Sequence, residues 1–591
     1  MLGQFDAANQ SYDQAISLAP QQPEGCFGKG LVAHDQGDVG RATELYNQAL
    51  GRNSAFFPAR VELSRLAEER GDWPAAIAQR RALLETRPGP QSVLALAQAL
   101  RLSGSGGWPE AAQMLIPLST TDAAAAIELA RLYNDSGRAE AAISAYQDAL
   151  TLDKRNTTAA FELGQSLIRQ SAYITAEQSL RQAIDYDQTN LDAHLALADL
   201  YQNQLHDPRQ AGQAYSEAMN QGLRDPQRLE AIGDAASANK NVDQAIKAYS
   251  EAMKLRPDFP ALHYKLGLAY EARGRHDAAN QAQSRVIALT ENPATSELAA
   301  LRASALVALG DLARGRQNLV EANTYYGQAL QIDGNRLAGQ LGLGLSAVGQ
   351  GNWGVAYGYF ETAARLPDGA TSPEAQFWLA ESLLRRKDYA GAIERYNAAF
   401  ELRKTDFPEL YLGLAQAHYA QGDRVAALDS VSTALGQRPN YAEALLFQGK
   451  LLQEDGRSDT ALIAYNRSIR ANGNIAEAQF RRGVLHIQNG NYDDAINDLN
   501  RAAKLQPNFP EASYWLGRAY YAQGRLDPAL IAFREAIKAN GNFVEAIFYS
   551  GLAAEDLGRT AEAISAYQTV LQIDASGDLA ARARVQLDRL T

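Results

Sequence analysis

The sequence predicts an all-α fold, a solenoid of antiparallel helix hairpins that follow one another along the chain. The first observation behind this prediction is a period of 34 residues, which separates Gly449, Gly483, Gly517 and Gly551. The second is that three further columns keep the same spacing: Gly456, Gly490, Gly524 and Gly558; Ala461, Ala495, Ala529 and Ala563; and Tyr465, Leu499, Phe533 and Tyr567. A fixed period of this length indicates one supersecondary unit copied end to end.

Each period holds two predicted helices, as the copy that starts at Pro510 illustrates. Proline is favoured in the first turn of a helix, where its missing N–H costs nothing, and Gly524 is placed to end the same helix. A second helix follows, in which Ala529 and Phe533 lie one turn apart. The small residues Gly517 and Ala529 would let the two helices approach closely, while Phe533 fills the space beyond them.

Composition narrows the classes of partner. The chain has 591 residues, with 56 Lys plus Arg against 68 Asp plus Glu, a formal net charge of -12. Such a surface repels nucleic acid phosphates and anionic membranes, so we expect no nucleic acid partner. No apolar run is long enough to predict membrane insertion, and residues 1–20 do not resemble a signal peptide. Cys26 is the only cysteine, so the localisation stays open.

The pattern resembles the tetratricopeptide repeat, whose outline is W-x2-L-G-x2-Y, then Gly, Ala, an aromatic residue, Ala and Pro. The best matches are Leu266, Gly267 and Tyr270 with Gly274 and Ala279, and Leu516, Gly517 and Tyr520 with the residues above. The initial Trp is replaced, for example by Cys26, His263 or Ser513. The resemblance covers nearly the whole chain. It implies a right-handed superhelix with first helices on the concave face, and a protein-interaction scaffold without catalysis.

The second-helix alanine of each copy gives the count and the organisation. Seventeen such positions occur: Ala8, Ala42, Ala76, Ala111, Ala142, Ala176, Ala211, Ala245, Ala279, Ala322, Ala356, Ala392, Ala427, Ala461, Ala495, Ala529 and Ala563. We expect a half repeat with only its second helix at 1–22, with Gly3 between helices. Continuous repeats follow at 23–302 and 303–577, and a lone helix at 578–591. The rhythm is interrupted at 103–107, 205–207, 291–302 and 366–373. The segment 291–302 is expected to lengthen the helix that follows, and 366–373 is expected to be a Pro/Gly-rich turn.

Candidate chemistry is sparse. The seven histidines include no pair with H-E-x-x-H spacing, and a single cysteine cannot form a thiolate zinc site. The glycines at 342–344 fall inside a first helix, where Gly344 takes the small packing position. The stretch 104–107 lacks the Lys and Ser/Thr of a phosphate loop. The sequence therefore predicts no catalytic residue, no cofactor and no metal site.

The resemblance implies that the fifth, sixth and ninth residues of each first helix face the groove, for example Tyr514, Trp515 and Arg518. Trp, Tyr and Arg are over-represented in interface hot spots. The candidates for binding a protein or peptide ligand in the groove are Phe447, Lys450, Arg481, Trp515, Arg518 and Tyr549. The fifth-position residues Phe480 and Phe548 are expected to pack between helices.

Upstream, the corresponding positions are acidic: Glu62, Glu128, Glu162, Asp199, Glu230 and Asp234. Two interpretations are open. One is a groove whose charge changes sign along its length and suits an extended partner. The other is a solvated face that keeps the chain soluble. Family members that clamp peptide tails use Lys and Asn at the fifth and ninth positions, where Phe27 and Leu31 stand here, so that specificity is not expected.

The two ends suggest an alternative role. Phe5 and Tyr12 lie in the predicted half repeat, and the lone C-terminal helix carries Leu579, Ala583, Leu587 and Leu590 on one side. If the tail of one molecule completed the half repeat of the next, the contact would be head to tail and would give a filament. The other interpretation is a plain capping helix. A third possibility is a periplasmic scaffold similar to the repeat region of bacterial exopolysaccharide export proteins.

Overall fold

The computed structural model describes residues 2–104, 106–403 and 406–591, with side chains from Phe5 onward. Its contacts divide the chain into a first unit, Met1–Arg285, and a second unit, Val286–Thr591. The described residues form 35 helices and no strand, which confirms the all-α prediction. Ser105, inside the interruption predicted at 103–107, lies outside the described residues.

The helices up to the division between the units are α1 (Leu2–Leu18), α2 (Glu24–Asp35), α3 (Val39–Arg52), α4 (Phe57–Glu69), α5 (Trp73–Thr86), α6 (Pro90–Leu102), α7 (Trp108–Leu118), α8 (Ala123–Asp135), α9 (Ala139–Leu152), α10 (Thr157–Arg169), α11 (Tyr173–Tyr186), α12 (Leu191–Asn203), α13 (Pro208–Asn220), α14 (Pro226–Ala238), α15 (Val242–Leu255), α16 (Pro260–Ala272) and α17 (His276–Leu289).

The remaining helices are α18 (Ser296–Gly315), α19 (Leu319–Ile332), α20 (Leu337–Gly349), α21 (Trp353–Arg365), α22 (Pro367–Ala370), α23 (Pro373–Arg385), α24 (Tyr389–Leu402), α25 (Pro408–Ala420), α26 (Arg424–Gln437), α27 (Ala442–Glu454), α28 (Ser458–Ala471), α29 (Ala476–Gln488), α30 (Tyr492–Leu505), α31 (Pro510–Ala522), α32 (Leu526–Ala539), α33 (Val544–Asp556), α34 (Thr560–Ile573) and α35 (Asp578–Leu590).

Within each unit the helices pair into antiparallel hairpins. In the hairpin α31–α32, a first helix of 13 residues is followed by a second helix of 14 residues. Gly524 turns the chain between them with φ of +71°, a conformation that favours glycine. Within a unit, second helices also pack on the first helix of the next hairpin, as α32 does on α33. Each unit is therefore a row of hairpins without a single central core.

The second-helix alanines confirm the predicted register. Sixteen of the seventeen are at most 1% exposed, because each one packs against the first helix of its own hairpin. Ala8 is half-buried, since among the described residues no first helix precedes α1. The small and large columns also meet as predicted. A methyl group added at Gly517 would lie 2.5 Å from Cε1 of Phe533, and one at Gly449 would lie 2.5 Å from Cε1 of Tyr465.

The structure corrects two details of the chain ends and interruptions. Gly3 lies within α1 and does not separate two helices. The segment 366–373 was expected to be a turn, yet Pro367 begins the short helix α22, since proline is favoured in a first helical turn. The lengthened helix expected from the segment 291–302 is confirmed, because α18 begins at Ser296 and has 20 residues.

Candidate functional site

Six side chains define what we call the first-helix face of the second unit. They are the sixth or ninth residues of α27, α29, α31 and α33, and in α27 and α31 both positions contribute. Residues three apart lie on the same side of a helix, so each such pair shares one face. All six are half-buried in the structure: Phe447, Lys450, Arg481, Trp515, Arg518 and Tyr549.

The Arg518 guanidinium lies among aromatic rings from two neighbouring first helices. Its carbon is 4.2 Å from the ring centroid of Tyr549 and 5.5 Å from that of Trp515. Arg518 Nη1 donates to Tyr514 Oη at 2.9 Å. A cation over an aromatic face is attracted by the ring quadrupole. The rings therefore hold the guanidinium in place, and Arg518 forms no ion pair with a carboxylate among the described residues.

The sequence predicted that Tyr514 faces the groove, but in the structure its side chain is buried. It is 7% exposed, and its ring packs 5.1 Å from that of Phe543 and 6.1 Å from that of Phe533. The fifth position of the first helix faces the interior between this hairpin and the next. A ring buried there is removed from water more completely than it would be in the groove, which is favourable. Burial raises the pKa of the Tyr514 hydroxyl. Phe548 at the same position is fully buried, as expected.

A second cation–aromatic cluster surrounds Lys450. Its Nζ lies 4.5 Å from the ring centroid of Tyr419, and the Phe447 ring meets the same tyrosine edge-on at 5.7 Å. Tyr419 Oη donates to Glu454 at 2.8 Å, and Arg424 pairs with Glu454 at 3.4 Å. The carboxylate one turn from Lys450 is thus occupied by other groups. In the part of the chain that the structure describes, Lys450 forms no ion pair.

Tyr419 was not among the predicted site residues. It is the twelfth residue of α25, and Tyr521 holds the same position in α31, where its Oη donates to Asp556 at 2.5 Å. An aromatic residue at this position could have been noticed in the sequence. Its contact with Lys450 on the next first helix was not evident there, because the two residues are nearly one repeat apart.

Arg481 differs from the other two cations on this face. Its Nε donates to Glu477 Oε1 at 2.6 Å, one turn earlier on the same helix. An ion pair at this spacing on a helix surface stabilises the helix by only about 0.3–0.5 kcal/mol. It nevertheless gives Arg481 a counter-charge within its own helix, which leaves Lys450 and Arg518 as the cations without one.

The acidic positions of the first unit do not form a free acidic surface. Glu128 is 1% exposed, and it accepts from Arg101 Nε at 2.5 Å and from Arg131 Nη1 at 3.3 Å. Arg131 also pairs with Glu162. The other predicted acids are paired as well: Glu62 with Arg65, Asp199 with Arg228, and Glu230 and Asp234 with Lys265.

Most of these pairs join neighbouring first helices. We call them the ion-pair ladder of the first unit. It runs from Arg101 through Glu128 and Arg131 to Glu162, and it also includes the Asp199–Arg228 pair and the two Lys265 pairs. Second-helix tyrosines add hydrogen bonds to the same carboxylates. Tyr146 Oη donates to Glu162 at 2.9 Å and Tyr249 Oη to Asp234 at 2.8 Å. Burial raises the pKa of both tyrosines above the ordinary value. Of the two interpretations left open for these acids, the pairing does not favour a groove of changing charge, because cations of the same unit offset the carboxylates.

Glu381, the ninth residue of α23, stands apart from this arrangement. Tyr396 Oη donates to its carboxylate at 2.5 Å, but among the described residues Glu381 forms no ion pair. Burial raises the pKa of the Glu381 carboxyl, and this outweighs the opposing effects of Tyr396 and of the Arg385 charge. The charged form of this carboxyl therefore costs free energy in the folded second unit.

Replacing Glu381 with glutamine should stabilise the second unit at about pH 7.5 and have no effect at about pH 4. The folded pKa lies above the unfolded one, so the folded carboxyl protonates first as the pH falls. The cost of burying its charge is therefore present only at higher pH. Thermal unfolding at the two pH values checks this expectation. Glu394→Gln, at a side chain 71% exposed, is the control and should change neither value. Destabilisation by Glu381→Gln at the higher pH would contradict the account.

The residues predicted for self-assembly lie against their own chain. Tyr12 of α1 packs on Gly28 of α2, and Phe5 is half-buried. In α35, Ala583 is fully buried in a cluster that includes Phe548 and Tyr567. Leu579, Leu587 and Leu590 pack against the same cluster. Arg589 also pairs with Glu555 of α33. The apolar side of α35 therefore covers the preceding hairpin of its own chain.

The described residues contain no group of three or more His, Cys, Asp or Glu side chains placed to hold a metal ion. None of their helices combines the length and apolar character that crossing a bilayer requires.

Comparison with known families agrees with the hairpin architecture. Models described as tetratricopeptide repeat match residues 2–56, 127–185, 341–406, 383–451, 480–543 and 529–578, and a model described as TPR repeat matches 233–274. Together these matches cover more than half of the chain. The chain belongs to the tetratricopeptide repeat family. Family membership supports a protein-interaction scaffold as the general role, and the first-helix face lies within the matched repeats.

Individual relatives are more distant. Cellulose synthase operon protein C of Xanthomonas axonopodis pv. citri (strain 306) is 24% identical over 498 residues, 78% of this chain. The chain spans only about a third, 31%, of that relative's length. Among solved structures, the APC/C hetero-tetramer Cut9-Hcn1 aligns over 84% of this chain and 96% of that chain, with 15% identity and a TM-score of 0.38. Yeast Tom70 aligns over 74% and 96%, with 16% identity and a TM-score of 0.33. These low scores add nothing to the family assignment.

Proposed function

We propose that this tetratricopeptide repeat protein is a non-catalytic scaffold whose first-helix face in the second unit binds an extended polypeptide segment of a protein partner. The observation that carries the proposal is the cluster of Trp515, Arg518 and Tyr549. These are the residue types that dominate interface hot spots, and here they come together on one face. Their half-buried state lets a ligand cover the remaining surface without moving the backbone.

The arrangement of the two clusters favours an extended ligand. The Lys450 cluster lies on α25 and α27, while the Arg518 cluster lies on α31 and α33. The intervening first helix, α29, contributes Arg481 and Val484 at the corresponding positions. A segment that contacts both clusters has to pass over α29, so a peptide chain fits this face better than a compact small molecule.

Replacing Trp515 with alanine should weaken peptide binding by more than about tenfold. Peptides would be selected by phage display against the full chain, and their affinities measured by fluorescence anisotropy. The indole ring removed by this substitution is only half-buried, so the fold should be retained. Circular dichroism checks that the variant is folded. Ile531→Ala is the matched control, because Ile531 is 62% exposed on the second helix α32.

The outcome that contradicts the proposal is a set of selected peptides that bind Trp515→Ala as tightly as the unchanged chain. Equal losses for Trp515→Ala and Ile531→Ala would also count against it. In that case the binding surface would not be the first-helix face.

A second candidate is a scaffold within a bacterial exopolysaccharide system. The observation in its favour is the name of the 24% identical relative, cellulose synthase operon protein C. Because the chain spans about a third of that relative, the shared role is a proposal only. Loss of polysaccharide secretion on deletion of the gene would favour this candidate, and unchanged secretion would speak against it.

Head-to-tail assembly into a filament is a third proposal, and the packing of the chain ends favours it least. The residues proposed for the contact, including Ala583 and Leu587, lie against the preceding hairpin of the same chain. Assembly would require α35 to leave that position or to use its outer side, where Val585 is 67% exposed. A monomer by light scattering at high concentration would argue against a filament.

A further inference from the structure

We infer that the segment bound by the first-helix face of the second unit is acidic, with carboxylates that pair with Lys450 and Arg518 and apolar residues between them. This inference rests on the proposed function and names the chemistry of its partner. It comes from the contrast between Lys450 and Arg518, which have no carboxylate partner among the described residues, and the first-helix cations of the ion-pair ladder, which have one.

In the first unit, several first-helix cations have carboxylate partners from the chain itself. Arg101 pairs with Glu128, and Lys265 pairs with both Glu230 and Asp234 at 2.8 and 2.7 Å. In the second unit, Lys450 and Arg518 lie over aromatic rings and have no carboxylate partner among the described residues. A half-buried cation has lost part of its hydration, so a carboxylate brought by a ligand would gain more there than on an open surface.

Two acids on the first helices of this face, Glu454 of α27 and Asp556 of α33, are engaged by other groups. Glu454 accepts from Tyr419 and pairs with Arg424, while Asp556 accepts from Tyr521. These contacts occupy both carboxylates with groups other than Lys450 and Arg518. They leave the two cations available to an incoming anion.

A polypeptide fits the rest of the face better than an anionic polysaccharide. Between and beside the two cations lie Phe447, Val484 and Leu552, all half-buried and without hydrogen-bonding groups. Sugar hydroxyls would leave their hydrogen bonds unmade against such side chains, which is unfavourable. Apolar side chains of a peptide would bury surface there.

The test uses three peptides of one sequence taken from the phage selection, with glutamate, glutamine or lysine at the acidic positions. The glutamate peptide should bind the full chain at least about tenfold more tightly than the glutamine peptide at low salt. The advantage should shrink in high salt. Lys450→Met and Arg518→Met should each reduce it, because methionine keeps an apolar stem and removes the charge. Lys538→Met, at a side chain 79% exposed on α32, is the control and should preserve it.

Each outcome bears on one proposal. If the glutamate and glutamine peptides bind equally, and Trp515→Ala still weakens both, the acidic partner is wrong while the binding face stands. If no peptide from the selection depends on Trp515, the proposed function itself fails. Polygalacturonate is included as a competitor. If it binds the full chain more tightly than the glutamate peptide and loses affinity in Arg518→Met, the partner is an anionic polysaccharide and the inference is overturned.

Discussion

Replacing Arg101 with methionine should lower the free energy of opening of α6 and α8 by about 3 kcal/mol. Glu128 is 1% exposed, and Arg101 supplies its shortest hydrogen bond, at 2.5 Å. Without Arg101, Arg131 alone would have to balance the buried Glu128 carboxylate, although Arg131 also pairs with Glu162. Native-state hydrogen exchange of the full chain measures the local opening of each helix, which suits an array that need not unfold in one step.

Two further variants separate this effect from the loss of any surface ion pair. Arg81 pairs with Glu110 at 2.7 Å, but the two side chains are 53% and 43% exposed. Arg81→Met should therefore cost less than about 1 kcal/mol. In Arg101→Met combined with Glu128→Gln, most of the stability should return, because no buried charge is left. Equal losses for Arg101→Met and Arg81→Met would show that the ladder does not support the first unit.

Replacing Gly517 with alanine should destabilise the hairpin α31–α32 by about 2 kcal/mol. The added methyl group would lie 2.5 Å from Cε1 of Phe533, a ring that is fully buried. In an open helix the same substitution is favourable, since alanine restricts the unfolded chain and has the higher helix propensity. The measured quantity is again the free energy of opening, here of α31 and α32.

The matched control is Gly436→Ala in α26. A methyl group at Gly436 would meet nothing within 4 Å, so this variant should gain about 0.5–1 kcal/mol. The two substitutions are chemically identical, and the expected results differ in sign. A gain in both would mean that Gly517 does not mark a close approach of the two helices.

The hairpins and their register could be predicted from the sequence because they depend on residues close together in the chain. The alanine of each second helix meets a first helix that is joined to it by a short turn. The pairing of Gly517 with Phe533 spans only 16 residues and repeats in other copies. Periodicity of apolar and small residues was sufficient for this level of structure.

The candidate site was predicted only in part. The sixth and ninth residues of α27 share one side of that helix, as those of α31 do, and this follows from their spacing. That this side binds a ligand stays a prediction. The pairing of the acids in the first unit could not be predicted because most of their partners lie on another repeat: Arg101 and Glu128 are 27 residues apart, and Arg228 and Asp199 are 29. Such pairs depend on side-chain conformations across neighbouring hairpins, which the column pattern of one repeat does not specify.

Hydrogen exchange of the full chain, with and without a saturating glutamate peptide, tests most directly whether the first-helix face of the second unit is the interaction surface. We predict slower exchange in α27, α29, α31 and α33, with no change in the second helices α28 and α32 or in the first unit. Protection centred on α28 and α32, or on helices of the first unit, would contradict the account.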